Sequence, residues 1–312
     1  MRSKIIAAAS AFPTNCYKNS DFIEKFKIES TSEWIESMTG IVQRYFVQDF
    51  REFEQIVVQA ANDVLGKVEN RLKTDNLDAV IVASSTSCYH FPGLSQIVHR
   101  ALGLKKSVRT IDTNAACNGF MHALSIADLL ITANQAENVL VIGADANSTI
   151  LDMTDRATCC LFGDGAGAVL VSADKNQPGS SPIIAWEHVT ISENYEALTA
   201  QKHIIMNGRV VFENSIKTFE ELIKKVLEKG GLEMADIDLF ILHQANYRIF
   251  QSLCKKMGCD ESKFPFLARD FANTSAATIP ICLSKIDFLN KNIVLAGFGA
   301  GFVGSASLLS YK

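Results

Sequence analysis

Short apolar runs alternate with stretches in which apolar residues recur every three or four positions, a pattern typical of strands alternating with helices. The predicted strands are residues 1–11, Leu77–Ala83, Asn138–Gly143, Ala168–Ser172, Ile237–Leu242 and Asn292–Gly297. The predicted helices include Asn19–Phe26, a helix capped by Thr31 or Ser32, Phe53–Arg71 and Leu94–Leu102. This order of elements predicts an α/β protein.

The second half of the chain repeats the pattern of the first half. Three stretches echo earlier ones in the same order, at offsets of 160, 158 and 154 residues: Ile237–Leu242 echoes Leu77–Val82, Asp270–Ala277 echoes Asp112–Gly119, and Asn292–Gly297 echoes Asn138–Gly143. Nearly constant offsets indicate an internal duplication. We therefore predict two halves, residues 1–172 and 173–312, with the polar stretch Asp174–Pro182 as the linker.

Three chemically reactive residues lie where strands of the two halves meet helices. Cys117 lies between a short β-type run and a helix whose apolar positions begin at Phe120, whereas His243 follows a predicted strand and Asn273 precedes a predicted helix. Because ligands bind outside the carboxyl ends of strands in such sheets, we expect these side chains to meet in one pocket. The amide groups and dipole of a helix start favour the thiolate of Cys117, which is the reactive form of cysteine. The alternative is that Cys117 is a small buried residue in a packed turn.

Charge and composition exclude several classes of protein. The net charge is −4 and no long basic stripe occurs, so we expect no nucleic-acid partner. No apolar run approaches the roughly 20 residues of a membrane-spanning helix, and the opening stretch is too short for a signal sequence. The eight cysteines include no paired Cys-x-x-Cys motifs, so we expect no zinc site, and reduced thiols in a cytoplasmic protein.

Three motifs resemble the signatures of the β-ketoacyl-acyl-carrier-protein synthase III family, which has the thiolase fold: Asp112–Phe120, His243–Arg248 and Asn273–Ala277. Further landmarks cover nearly the whole chain, namely Thr31–Ile35, Thr39–Ile41, Phe91–Pro92, Thr154–Arg156, Phe162–Gly167, Met206–Gly208 and the last glycine loop. The resemblance implies an α/β thiolase fold in which two duplicated halves form a five-layer α-β-α-β-α core. The first half then carries Cys117, and the second carries His243 and Asn273.

The resemblance also implies a condensing enzyme, an acyltransferase of the kind that initiates fatty acid synthesis. Cys117 takes an acyl group from acyl-CoA, and His243 and Asn273 hold the thioester carbonyl of malonyl-acyl carrier protein while it loses CO₂. Two neutral donors suit the negative charge that develops on this oxygen. A second oxyanion hole combines the amides of Cys117 and Gly301. No cofactor or metal is implied, and acyl-CoA enters as a substrate.

The remaining implied roles concern recognition and assembly. The residues expected to bind CoA are Trp34, Arg156, Asn246 and Arg248. Those expected to dock the carrier protein are Arg248, Lys255 and Lys256, which share one face of a predicted helix. The alternative is that this face is only solvated and binds no partner. Phe91 is expected to close the acyl pocket of the partner in a homodimer, because the following proline favours an extended conformation. The alternative is that Phe91 packs into the core of its own subunit.

Several positions depart from the family pattern. Met38 stands where an arginine usually binds CoA phosphate, Glu213 stands where a basic residue often assists docking, and the loop Phe298–Gly304 lacks a tryptophan and is one residue shorter. Alternative functions are therefore a specialised paralogue with a non-carrier acceptor, and a non-catalytic partner subunit. A papain-like protease is a further alternative, but the sequences around the catalytic residues of such proteases do not match those around Cys117, His243 and Asn273. We interpret Gly163–Gly167 as close packing between the halves, because a strand follows it where a nucleotide loop needs a helix.

Overall fold

The computed structural model describes residues 2–68, 74–173, 183–289 and 291–310. Its strands are β1 (Ser3–Ala11), β2 (Asn15–Lys18), β3 (Gln43–Phe46), β4 (Ala79–Ala83), β5 (Arg109–Thr113), β6 (Asn138–Ala146), β7 (Asp164–Ala173), β8 (Ile183–Thr190), β9 (Leu198–Ala200), β10 (Ile204–Met206), β11 (Leu239–Leu242), β12 (Asn292–Gly299) and β13 (Val303–Ser310). Its helices are α1 (Asn19–Phe26), α2 (Ser32–Thr39), α3 (Phe50–Gly66), α4 (Leu94–Ala101), α5 (Gly119–Thr132), α6 (Arg156–Cys159), α7 (Gly208–Gly230), α8 (Tyr247–Met257) and α9 (Thr278–Lys285).

Most of the described strands belong to two sheets, one of five strands and one of four. The first sheet has the strand order β1-β7-β6-β4-β5, and the second has the order β11-β12-β13-β8. In the first, β4 lies parallel to β5 and β6, whereas β7 lies antiparallel to β1 and β6. In the second, β11 and β12 are parallel and β13 is antiparallel to both neighbours. Reactive residues that follow β5 and β11 therefore lie at carboxyl ends of parallel strands.

The strand register confirms the internal duplication. Ala79 of β4 lies opposite Val139 of β6, and Leu239 of β11 lies opposite Ile293 of β12. Leu239 lies 160 residues after Ala79, and Ile293 lies 154 residues after Val139. These are the offsets between the corresponding stretches of the sequence. The duplication therefore extends from sequence to cross-strand pairing. Strand β7 ends at Ala173, one residue past the predicted boundary, and the predicted linker lies outside the described residues.

The apolar faces of the helices and sheets determine how the layers of the fold stack. Helices α5 and α9 lie between the sheets, where Phe120, Leu124 and Ile281 pack in one core with Val141 of β6 and Leu295 of β12. Helices α3 and α4 cover the outer face of the first sheet, and α7 and α8 cover the outer face of the second. The predicted five-layer thiolase fold is confirmed.

The glycine-rich segment differs from its prediction in one respect. We predicted a loop up to Gly167 followed by a strand, but β7 already begins at Asp164. These glycines serve close packing: a Cβ atom on Gly167 would lie 2.7 Å from the backbone nitrogen of Ile281 in α9. A Cβ atom on Gly143 of β6 would overlap the carbonyl oxygen of Ala276. The predicted close contact between the halves is therefore confirmed.

Helix bounds agree with prediction except at α3. The pattern predicted a start at Phe53, whereas the helix begins at Phe50, because Asp49 caps it by accepting a hydrogen bond from the backbone of Glu52 at 2.9 Å. The predicted end at Arg71 falls among residues that the structure does not describe, and α3 itself ends at Gly66. Among the helices that are described, none is long and apolar enough to span a bilayer.

Candidate active site

Cys117 lies on a tight elbow between β5 and α5. A 3₁₀ turn, Ala116–Asn118, precedes the helix, so Cys117 lies just before the α-helix rather than within its first turn. Ala116 has a φ of 46°, a left-handed conformation that a small side chain tolerates best. Gly299, at the end of β12, packs against this elbow, and a Cβ atom there would lie 2.9 Å from the amide nitrogen of Cys117. The elbow is therefore held by backbone from the opposite half.

His243 and Asn273 come to the same place from the second half. His243 follows β11, and its backbone nitrogen donates to Ala296 of β12 at 2.8 Å. Asn273 bridges to Phe162, and its side-chain oxygen accepts from the backbone of Ser275 at 2.9 Å. Because the oxygen is engaged, the amide NH₂ group of Asn273 remains for a ligand. Both side chains are almost completely buried.

One cavity of about 480 Å³ connects these residues. Cys117, His243 and Asn273 all line it, so the structure brings together the three side chains that the sequence singled out. Its wall is otherwise mostly apolar, with Leu161, Phe162, Leu198, Met206, Val211, Phe212, Phe219, Ile249 and Phe298 among the lining residues. The arrangement is a water-poor pocket with few polar groups, which suits a reaction that proceeds through developing negative charge.

Burial decides the protonation states in the pocket. The pKa of the Cys117 thiol is raised to about 12, chiefly by burial; a hydrogen bond with Ser275 opposes this shift in part, and the Asp145 carboxylate adds to it. The cost of burying the charge therefore outweighs the helix-start effect that the sequence analysis expected to favour the thiolate. Burial also lowers the pKa of His243 to about 3, so its imidazole is neutral near pH 7.

Asp145 is a buried acid that the sequence analysis missed. It is the last residue but one of β6. Its carboxylate accepts hydrogen bonds from the backbone of Ser85 at 2.8 Å, from Thr86 Oγ1 at 2.9 Å and from the backbone of Ala276 at 3.1 Å. Burial raises the pKa of Asp145, and these hydrogen bonds oppose the shift. The carboxylate thereby joins the loop after β4 to the turn that follows Asn273. An aspartate at the end of a buried strand was the available signal.

The predicted CoA-binding residues all lie at the mouth of the cavity. The Arg156 guanidinium lies over the Trp34 ring, 4.9 Å from its centroid, so an adenine can lie between the two only if Arg156 moves. Asn246 caps α8 through a hydrogen bond from the Arg248 backbone at 2.9 Å and donates to the Met38 carbonyl at 3.1 Å. The Asn246 side chain is therefore already engaged in two hydrogen bonds within the protein.

The predicted docking residues divide between two environments. Lys256 forms an ion pair with Glu220 of α7 at 2.6 Å, whereas Lys255 on the same helix is exposed. The Arg248 guanidinium lies 3.7 Å from the Met38 sulfur. Lys256 is nevertheless exposed, like Lys255, so the predicted docking face of α8 stays a prediction. Glu213, the departure noted above, pairs with Arg209 one turn earlier at 2.9 Å.

Two further predicted positions lie away from the cavity wall. Gly301 has a φ of 76° and lies in the turn after β12, while Gly299 is the glycine that lines the cavity beside Cys117. The oxyanion role of Gly301 therefore stays a prediction, and Gly299 of the same loop is a second candidate. Phe91 is 86% exposed, so its alternative of packing in its own core is wrong. The sequence could not separate Gly299 from Gly301, because both belong to one loop.

A thiolase-fold core with a cysteine, a histidine and an asparagine around one dry cavity defines the chain as a condensing enzyme, an acyltransferase. Residues 111–188 match the family described as 3-Oxoacyl-[acyl-carrier-protein (ACP)] synthase III, and residues 227–311 match its C-terminal part. The chain therefore belongs to the β-ketoacyl-[acyl-carrier-protein] synthase III family.

Named relatives agree over almost the full length. The chain is 37% identical to the synthase III of Neorickettsia sennetsu, covering 95% of this chain and 97% of the relative, and 36% identical to that of Acholeplasma laidlawii, covering 98% of each. The crystal structure of 3-oxoacyl-[acyl-carrier-protein] synthase III from Aquifex aeolicus matches with a TM-score of 0.92 at 36% identity, covering 99% of this chain and 100% of that one. A protease and a non-catalytic subunit are therefore wrong, and a non-carrier acceptor is not favoured.

We predict that Cys117 in the free enzyme reacts slowly with iodoacetamide at pH 7. Because burial raises the pKa of its thiol to about 12, the thiolate fraction rises with pH over the whole stable range. The rate of Cys117 alkylation, followed by peptide mass spectrometry, should increase about tenfold for each pH unit, whereas free cysteine levels off above its pKa of about 8.5. A plateau for Cys117 near neutral pH would mean that the helix start outweighs burial.

Proposed function

We propose that the enzyme transfers an acyl group from acyl-CoA to Cys117 and condenses it with malonyl-acyl carrier protein. The observation that carries this proposal is the convergence of a nucleophilic thiol with two neutral donors, His243 and Asn273, in one apolar cavity. The product is a β-ketoacyl thioester, and the reaction belongs to the initiation of fatty acid synthesis. No cofactor is needed, since the leaving CO₂ supplies the electron pair that forms the new carbon–carbon bond.

In the first half-reaction the Cys117 sulfur attacks the thioester carbonyl, and CoA leaves as its thiol. The backbone amide of Cys117 and the loop at Gly299 lie beside this sulfur, and they are the candidate donors to the first oxyanion. Since the thiol of the empty site is protonated, its proton leaves during the attack, and the displaced CoA sulfur is its final acceptor. Binding of the acyl donor and loss of the thiol proton are thus coupled.

In the second half-reaction the malonyl thioester loses CO₂, and negative charge develops on the thioester oxygen. The free NH₂ group of Asn273 and a ring N–H of neutral His243 are the two donors for this oxygen. Each such donor is worth about 2.7–4 kcal/mol in a water-poor site. The enolate carbon then attacks the acyl carbonyl on Cys117 and the carbon–sulfur bond breaks, which releases the β-ketoacyl product and a Cys117 thiolate that takes up a proton from solvent.

The mouth of the cavity supports recognition of CoA by stacking and by positive charge. Trp34 and Arg156 offer planar surfaces for adenine, and Arg248 is the cation nearest to the Met38 position. Met38 supplies no charge for the CoA phosphates, so the affinity for CoA rests on Arg156 and Arg248. Acyl chain length depends on the depth of the cavity and on the neighbouring subunit.

We predict that Cys117→Ala abolishes both acyl-enzyme formation and condensation, because the nucleophile is lost while a small side chain is retained. His243→Ala and Asn273→Ala should each lower malonyl decarboxylation roughly 10²–10³-fold and leave Cys117 acylation within about tenfold of the wild-type rate. Intact-protein mass spectrometry measures acylation from a panel of acyl-CoAs, and CO₂ release from malonyl-carrier protein measures decarboxylation. Equal loss of both half-reactions in either variant would make histidine or asparagine part of the acylation step instead.

We predict a homodimer in which Phe91 reaches the acyl pocket of the partner subunit. An exposed phenylalanine ring gains roughly 1.5–3 kcal/mol when it is buried, and Phe91 is 86% exposed in the single chain. Phe91→Ala should shift the preference toward longer or branched acyl-CoA, whereas Tyr89→Ala on the same loop should not. A monomer at micromolar concentration in sedimentation velocity, or an unchanged preference in Phe91→Ala, would contradict this assembly.

We predict that Lys255→Glu raises the apparent KM for malonyl-carrier protein about three- to five-fold and leaves acyl-CoA kinetics unchanged. Lys255 is exposed in the last turn of α8, whose first residues line the cavity, and carrier proteins are usually acidic, so reversal of this surface charge weakens the encounter. Lys106→Glu is the matched control, because Lys106 is exposed before β5, at the end of that strand away from Cys117. Equal effects of the two variants would indicate only a change in net charge.

A further inference from the structure

The imidazole of His243 makes one hydrogen bond within the described chain, and its partner is Thr278. The Nδ1 atom of His243 lies 2.7 Å from Thr278 Oγ1. Thr278 begins α9 and is completely buried, and its hydroxyl also lies 3.1 Å from the carbonyl oxygen of Ser275. The other face of the imidazole lines the cavity. The state of Nδ1 therefore determines what Nε2 can offer to a substrate.

A hydroxyl group has one proton, so the Thr278 side chain can donate to only one of these two neighbours. If it donates to Ser275, Nδ1 of the neutral ring carries the hydrogen, and Nε2 presents a lone pair to the cavity. If it donates to Nδ1, the hydrogen of the ring is on Nε2, where it can stabilise an anionic oxygen. Only the second arrangement provides the donor that the decarboxylation requires.

The local contacts accommodate the second arrangement. The carbonyl oxygen of Ser275 already accepts the backbone N–H of Thr278, so it keeps a partner when the hydroxyl turns away. Nδ1 has no other partner, and the contact at 2.7 Å is the shorter of the two hydroxyl contacts. In either arrangement Nδ1 keeps its hydrogen bond with Thr278 Oγ1, so the two differ in the second donor to the Ser275 carbonyl and in whether Nε2 presents a hydrogen or a lone pair to the cavity.

We propose that Thr278 is a positioning residue whose hydroxyl donates to Nδ1 of His243 and thereby holds the Nε2 hydrogen toward the cavity. This inference rests on the proposed function, in which the Nε2–H group binds the malonyl thioester oxygen. The same turn orients the second donor, because the Ser275 backbone holds the oxygen of Asn273 at 2.9 Å. One short segment, residues 273–278, thus sets the direction of both donors. Burial keeps the imidazole neutral by lowering the pKa of His243 to about 3.

The kinetic test compares Thr278→Val, which keeps the shape but removes the hydroxyl, with Thr278→Ser, which keeps the hydroxyl. We expect Thr278→Val to lower the kcat of malonyl decarboxylation at least about tenfold, less than His243→Ala does, with little change in Cys117 acylation or in KM. Thr278→Ser should restore most of this loss. Equal activity of Thr278→Val and wild type would overturn the proposal, as would a Thr278→Ser variant no better than Thr278→Val.

The pH profile separates this role from simple packing. A hydrogen bond donated to the neutral imidazole opposes its protonation, so its removal raises the pKa of His243. Decarboxylation by wild type should be flat on the acid side down to the limit of stability, whereas Thr278→Val should lose activity as the pH falls. Parallel profiles of the two enzymes would indicate that Thr278 acts through packing alone, which would overturn the proposal.

A direct measurement needs no variant of Thr278. In wild type labelled with ¹⁵N-histidine, long-range ¹⁵N–¹H spectra report which ring nitrogen is protonated, and a His243→Gln sample assigns the signal. Hydrogen on Nε2 supports the proposal, and hydrogen on Nδ1 overturns it. If wild type neither acylates Cys117 nor decarboxylates malonyl-carrier protein, the proposed function fails, while this spectrum still decides the tautomer.

Discussion

Contact between backbone atoms of the two halves is the constraint on which the rest of the structure depends. Gly143 of β6 meets the carbonyl of Ala276, and Gly299 of β12 meets the amide of Cys117, with no room for a side chain at either glycine. Each half thus supports the reactive turn of the other half. Because protein interiors are close-packed and yield little, the three reactive side chains are held in one place although they come from distant parts of the chain.

The same burial that positions these groups also sets their chemistry. Burial in an apolar pocket disfavours charge, so it keeps Cys117 a thiol in the free enzyme and His243 a neutral imidazole. Neutral donors gain strength where water is absent, so the pocket stabilises the charge of the transition state more than that of the resting enzyme. Thr278 and the Ser275 backbone then matter because they fix the direction in which these neutral groups point.

The recognition surfaces are less constrained than the catalytic pocket. Arg248 lies against the sulfur of Met38, Lys256 is paired with Glu220, and Arg209 is paired with Glu213, so several positive charges near the mouth already have partners. Exposed pairs of this kind contribute little to stability. The chain therefore retains the chemistry of its family while its mouth carries a different pattern of charge.

The sequence by itself determined the alternation of strands and helices, the duplication, and the three reactive residues, because each depends on local periodicity or on short motifs. Strand β6 and helices α1 and α2 begin where the pattern placed them. Only the tertiary structure decided that Gly299 lies beside Cys117, that Lys256 turns toward α7, that Phe91 faces outward, and that Asp145 and Thr278 support the site. Each of these facts depends on the distance between residues far apart in the chain, and no local pattern encodes such a distance.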